Sequence, residues 1–73
     1  MKLTDDEEIA YIEVIYTLLK NEPLQEKYKE HQLKGNFLGY MECHIRPDLL
    51  LIYRINNDVL ELLDIGSHSQ LFK

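Results

Sequence analysis

The chain of 73 residues contains no tryptophan, one cysteine, two prolines and three glycines. A lone cysteine, Cys43, excludes an intrachain disulfide and fits a reducing compartment. No apolar run approaches the roughly 20 residues of a membrane span, so no membrane role is expected. The opening Met1-Lys2-Leu3-Thr4-Asp5-Asp6 turns acidic at once and lacks the apolar centre of a secretion signal, which predicts a cytoplasmic location. Repeats, low-complexity tracts and Gly/Ser linkers are also missing, and the expectation is a single domain over residues 1–73. A domain of this size buries only about 60% of the surface its unfolded chain exposes. A tight partner would add to its stability by mass action.

Positive charge is scarce: 8 Lys and Arg stand against 13 Asp and Glu, for a net charge of −5. That balance disfavours a general nucleic-acid-binding surface. The imbalance is uneven, however. The first 22 residues hold Asp5, Asp6, Glu7, Glu8, Glu13 and Glu22 against Lys2 and Lys20, whereas Lys27, Lys29, Lys34, Arg46 and Arg54 outnumber the acids in the middle of the chain. A local basic surface can form only there.

What is present reads as one helix followed by strands. Thr4-Asp5-Asp6-Glu7 has the form of a capping box, and the acidic first turn suits the positive end of a helix dipole. The helix is expected from about Asp5 to Asn21, with Pro23 ending it. At 100° per residue Ile9, Ile12, Ile15, Tyr16 and Leu19 form an apolar stripe, widened by Tyr11, Val14 and Leu18. So wide an arc means either that the helix sits deep in its own core or that another chain covers one side. Residues 22–38 read as a loop. Tyr40 to Ile45 alternates, with Met41, Cys43 and Ile45 on one face and Tyr40, Glu42 and His44 on the other. Arg46-Pro47-Asp48 and Asn56-Asn57-Asp58 are turns, flanking an apolar strand from Leu49 to Ile55. Val59 to Ile65 is the third strand, and Gly66 opens a short tail. The expected architecture is α+β, a helix packed on an antiparallel three-stranded meander.

Three histidines are the candidates for chemistry. His31 falls in the charged loop, His44 near the end of the first strand and His68 just after the third. A meander brings the last two to one sheet edge, beside Asp48. Two histidines and a carboxylate suit ribonuclease chemistry, in which one group removes a 2′-hydroxyl proton and another protonates the leaving 5′-oxygen. Three histidines in a chain of this size are unremarkable, and on spacing alone surface and capping roles explain them more simply than catalysis. No standard zinc spacing is present, and Cys43 on the apolar face reads as core. Tyr28, Phe37 and Tyr40 can stack on bases or fill the core.

Three stretches carry a resemblance: Tyr28 to Gly35, which contains His31-Gln32-Leu33-Lys34-Gly35; Glu42-Cys43-His44-Ile45-Arg46-Pro47-Asp48-Leu49-Leu50-Leu51-Ile52-Tyr53; and Gly66-Ser67-His68-Ser69-Gln70-Leu71-Phe72. Their order and spacing resemble the YafQ-like toxins of the RelE/ParE superfamily, over about Leu24 to Phe72. The resemblance implies helices on a curved antiparallel sheet and a toxin of a type II toxin–antitoxin system that cuts mRNA on the ribosome. It implies general acid–base cleavage with no metal and no cofactor, and a cognate antitoxin as partner. Carried over by position, His31, His44, Asp48 and His68 would be catalytic and Phe72 would stand at the rim of the site. Lys34 and Arg46 would contact substrate.

Two departures accompany the match. The family usually has an arginine two positions before the glycine of Gly66-Ser67-His68-Ser69, where this chain has Asp64. A carboxylate there repels the phosphate that the arginine would hold. The family's first strand and first helix are also lacking, which exposes a sheet edge or helix face to an antitoxin or a second copy of the chain. A cleaving toxin and a non-cleaving, antitoxin-binding homologue are therefore both open. Inhibition of another target, as in the ParE branch, fits less well because that branch lacks these histidines.

Overall fold

A computed structural model describes residues 2–72. Helix α1 spans Asp5–Leu19. Its start is the expected capping box: Thr4 accepts from the Glu7 amide at 3.2 Å, and the Thr4 amide donates to Glu7 Oε1 at 2.9 Å. Its end comes earlier than Pro23 demands. Asn21 takes a left-handed φ of 56°, and the Glu22 and Asn21 amides donate back to the Thr17 and Leu18 carbonyls. This pair of bonds closes the last turn with asparagine in glycine's usual place.

The sheet has four strands rather than three. Strand β1 is His31–Gln32, β2 is Met41–Arg46, β3 is Leu49–Asn56 and β4 is Val59–Gly66, in the order β1-β2-β3-β4 with every pair antiparallel. The three expected strands are present to within a residue or so. The addition is β1, inside the segment expected to be loop, where His31 pairs with Glu42 and Gln32 with Met41. Single turns of tighter helix flank it at Glu26–Tyr28 and Gly35–Phe37. Two residues carry no periodicity, so only pairing with β2 makes them a strand.

The β3–β4 hairpin turns on Asn57 and Asp58, both at positive φ (52° and 65°). That is the twist-matched two-residue turn that these side chains tolerate well. After β4, Ser67 caps a one-turn helix α2, His68–Leu71, in a second capping box with Gln70. A Cβ at Gly66 would lie 2.8 Å from Gln70 Oε1, so a larger residue there would push aside the side chain that closes this capping box.

Helix α1 packs on one face of the sheet, and it does so through an unexpected arc. Ala10, Val14 and Leu18, four residues apart, are buried against Cys43, Ile45, Leu49, Leu51 and Tyr53. Most of the stripe read from the sequence points away: Ile9, Ile12, Tyr16 and Leu19 are 58–64% exposed. Both arcs are apolar, so hydrophobicity alone could not choose; small Ala10 and Val14 let the helix approach the sheet closely. No helix among the described residues is long and apolar enough to cross a membrane.

Candidate acid–base site on the second sheet face

Strand alternation puts a different set of side chains on the face away from α1. His31, Glu42, Ile52 and Asp64 are paired in series across all four strands and share one row. His44, Leu50 and Gly66 form the next row. Leu50 and Ile52 are both 1% exposed, so this face is covered too. A β-bulge between Ile52 and Tyr53 resets the pairing of β4 by one residue, and beyond it Arg54 faces Glu61. Without the bulge Asp64 would turn to the helix side.

The centre of the site is a residue that the sequence reading left as an ordinary outward side chain. Glu42 is 5% exposed, although glutamates are almost never fully buried unless paired. Its Oε1 lies 3.1 Å from His31 Nε2 and 3.7 Å from His44 Nε2. Its Oε2 is buried with no hydrogen-bond partner. The two imidazole rings are 6.1 Å apart, centroid to centroid. On its far side His31 Nδ1 is 2.8 Å from the Lys29 carbonyl oxygen. Since a carbonyl only accepts, Nδ1 carries a proton, and that contact fixes the ring's orientation. Lys29 itself sits at φ 50°, the kink that aims the chain into β1.

A second group stands at the end of the sheet. Asp48, in the β2–β3 turn, accepts a long 3.4 Å bond from the His68 backbone amide through Oδ1. His68 packs on Phe72 at 5.1 Å, and Phe72 meets Phe37 edge-on at 5.7 Å. The expected approach of His44 to His68 is not made by any hydrogen bond or ring contact among the described residues. His44 joins His31 and Glu42, while His68 joins Asp48 and Phe72.

The expected substrate contacts divide. Lys34 is exposed just before the Gly35–Phe37 turn, on the approach to Phe72. Arg46 pairs opposite Leu49, a helix-side core residue, and its guanidinium donates to the Asp6 carbonyl of α1 at 3.4 Å. It therefore lies behind the site. Arg54 is on the site face but is held by Glu61 and stacked 5.0 Å over the Tyr40 ring. Asp64 is on the site face, two strands from Glu42, a spacing of about 10 Å. A cavity of about 440 Å³ lies between α1 and β2, is lined by Ala10, Tyr28 and Arg46, and reaches the site through Lys29 and His44.

Burial of Glu42 carried no signal in the sequence because its neighbours come from a two-residue strand. The one available hint was its place on the same face of the expected strand as His44.

A family described as the bacterial toxin of type II toxin–antitoxin systems, YafQ, matches residues 1–73. The mRNA interferase toxin YafQ of Escherichia coli (strain K12) is 38% identical over 63 residues, which cover 84% of this chain and 68% of that protein. The putative toxin YafQ of Haemophilus influenzae is 42% identical over 64 residues, 82% of this chain and 63% of that protein. The chain thus spans about two thirds of the length of these curated relatives. Among solved structures, a copper-bound mutant toxin from Helicobacter pylori superposes with a TM-score of 0.83 at 49% identity, covering 86% of this chain and 72% of that one. The E. coli DinJ–YafQ complex gives 0.84 at 31% identity, covering 96% and 77%. With the profile spanning the whole chain and the fold shared with these toxins, the chain belongs to the YafQ family of type II toxin–antitoxin toxins.

Proposed function

We propose that this chain is the toxin of a toxin–antitoxin pair and cuts mRNA on the ribosome by general acid–base catalysis. The observation that carries the reading is the buried Glu42 carboxylate, flanked by His31 and His44 on the sheet face away from α1. In this reading Glu42, oriented by the two imidazoles, takes the 2′-hydroxyl proton of the substrate ribose. The 2′-oxygen attacks the adjacent phosphorus and the P–O5′ bond breaks. His68, placed by Asp48 at the start of α2, gives a proton to the departing 5′-oxygen. The products are a 2′,3′-cyclic phosphate and a free 5′-hydroxyl, and no metal takes part. Phe72 and Phe37 supply an aromatic rim for a base, and Lys34 meets a flanking phosphate.

The E. coli relative is named an mRNA interferase and has been solved with its antitoxin. These facts support the activity and an antitoxin partner for this chain; in this reading it acts in the cytoplasm. The exposed Ile9, Ile12, Tyr16 and Leu19 give such a partner, or a second copy, an apolar surface to cover.

Asp64 favours a second reading. It sets a carboxylate in the row of Glu42, where a substrate phosphate would be repelled. A non-cleaving homologue that still binds an antitoxin would look like this.

One assay separates the two: mRNA cleavage in a cell-free translation reaction, read by primer extension, for the chain as given, His68→Ala and Asp64→Arg. Cutting by the first that is lost in the second supports the enzyme. No cutting by the first, with cutting by Asp64→Arg, supports the disabled scaffold.

A further inference from the structure

We infer that the cavity between α1 and β2 binds a nucleotide through its phosphate, and that in the RNA this is the nucleotide on the 5′ side of the ribose that loses its 2′-hydroxyl proton. The binding half stands on the cavity's own geometry, and the RNA half rests on the cleavage reading.

Charge is the first observation. Acids outnumber bases by 13 to 8 in this chain, yet Lys27, Lys29 and Arg46 all line this one cavity. Elsewhere Lys20 and Arg54 have carboxylate partners in Glu22 and Glu61. The three cavity cations form no ion pair among the described residues. Arg46 reaches only the Asp6 carbonyl at 3.4 Å, and Lys27 only the face of the Tyr28 ring at 5.1 Å. Glu13 is the single acid of the lining. It faces the buried Tyr28 hydroxyl, whose pKa is raised by burial first and then by that carboxylate, so the hydroxyl stays a donor to Glu13. Three cations against one occupied carboxylate leave the cavity positive within an acidic protein, and such cations repel one another until an anion joins them. Guanidinium and ammonium groups are the side chains that hold phosphate.

Size extends the ligand beyond a bare ion. The cavity's volume of about 440 Å³ lies in the range of small-molecule sites. Much of the remaining lining is apolar, from Ile9, Ala10, Ile45 and Pro47, which suits a sugar and the face of a base. Ile9 is 64% exposed, and a base laid against it would cover it.

Position gives the polarity. Strand β1 pairs only with Met41 and Glu42, so β2 has no strand partner on that side from Cys43 to Arg46. The cavity lies along this uncovered stretch and includes His44, whose Nε2 is 3.7 Å from Glu42 Oε1. His68 follows β4, two strands across the sheet from β2. A strand with its 2′-hydroxyl at Glu42 and its departing 5′-oxygen at His68 runs its 3′ part past His68. Its 5′ part then passes His44 and meets the cavity.

The test is titration of the purified chain with adenosine 5′-monophosphate, with adenosine as the phosphate-free control, followed by amide chemical shifts in nuclear magnetic resonance spectra. The shifts should centre on Ala10, Lys27 and Ile45, and adenosine should bind at least about 10-fold more weakly. Lys27→Gln and Arg46→Gln should each weaken nucleotide binding by about 10-fold with unchanged far-ultraviolet circular dichroism. Lys20→Gln, the same loss of charge outside the cavity, should weaken it by less than about twofold. Nucleotide binding no tighter than that of adenosine overturns the site, and so does equal weakening by Lys20→Gln. For the RNA half the probe is a 2′-O-methyl trinucleotide, which cannot be cut because its 2′-oxygens carry no proton. It should bind more tightly than the mononucleotide and shift the cavity amides together with the imidazole signals of His31 and His44. Removing its 5′ nucleotide should cost affinity in the wild type but not in Lys27→Gln, whereas removing its 3′ nucleotide should cost both proteins equally. A trinucleotide that moves His31 and His44 but not Ala10 and Ile45 overturns the RNA half and leaves a site for free nucleotides. A chain that binds both probes as expected yet never cuts mRNA refutes the cleavage reading and leaves the nucleotide site standing.

Discussion

The two faces of this sheet bury side chains to similar depth for different ends. Toward α1, Cys43, Leu51 and Tyr53 are 0–1% exposed among apolar neighbours. On the other face Glu42 is 5% exposed, next to two histidines and with one oxygen unpartnered. Cys43 and Glu42 are consecutive in β2, so a single peptide unit separates a residue that holds the fold together from one that costs it stability. An unsatisfied buried polar group costs about 1–3 kcal/mol, more when charged. A domain this small keeps such a group only where something other than stability depends on it. The helix-side face accounts for the fold, and the second face carries the candidate site.

The sharpest way to break this comparison is to find activity and stability moving together. His68→Gln should lower mRNA cleavage by about 10²–10⁴-fold, read by primer extension, with an unchanged urea midpoint. A parallel loss of stability would place His68 in the fold rather than the site. On the helix side, Leu51→Ala should cost about 2–5 kcal/mol in urea unfolding, enough to unfold much of the population of so small a domain. Glu42→Gln sharpens the contrast. Cleavage should fall by about 10²-fold while the urea midpoint at pH 8 stays at or above the wild-type value. A midpoint well below it would show that the carboxylate holds the face together. Asp64→Arg should raise cleavage by up to about 10²-fold by putting a cation on the row of Glu42. No gain would mean that the phosphate lies beyond its reach.

The smallest effect belongs to Cys43. Burial pushes its thiol up from the ordinary 9.0 to about 12, with lesser contributions from Glu30 and Glu42. Because the folded state favours the neutral thiol, its contribution to stability is complete below about pH 9. It declines as pH rises toward 12. Tyr53 is displaced upward in the same way, by burial first and then by its hydrogen bond to Glu30. Thermal midpoints should therefore fall above pH 9. Alkylation of Cys43 at pH 8 should require unfolding, as seen by mass spectrometry with and without urea.

Local chemistry was legible in the sequence where it acts over a few residues. Thr4 and Glu7 capped the helix as their spacing foretold, and Asn57-Asp58 made the hairpin turn. The alternation around Cys43 and His44 assigned both to their correct faces. What escaped was set by tertiary neighbours. Helix α1 carries two apolar arcs, and only contact with the sheet selected Ala10, Val14 and Leu18 over Ile9, Ile12 and Tyr16. Strand β1 is too short to show a period. The three histidines and Asp48 stood out as candidates by residue type and meander topology, but the sequence grouped His44 with His68, whereas the structure sets it beside Glu42 and leaves His68 with Asp48. His31 pairs with His44 through Glu42, a residue whose role depends on burial that no window of sequence reports.

The brevity of β1 has a kinetic consequence. It is held by only two residue pairings with β2 at the edge of the sheet, and one of its two residues is His31. An edge of that size opens by local unfolding at far less cost than the β3–β4 hairpin. Opening it would withdraw His31 from Glu42 while α1 stays packed on the remaining strands. Amide hydrogen exchange should accordingly show residues 31–32 exchanging orders of magnitude faster than 50–53, in a chain that switches its site apart without ever losing its fold.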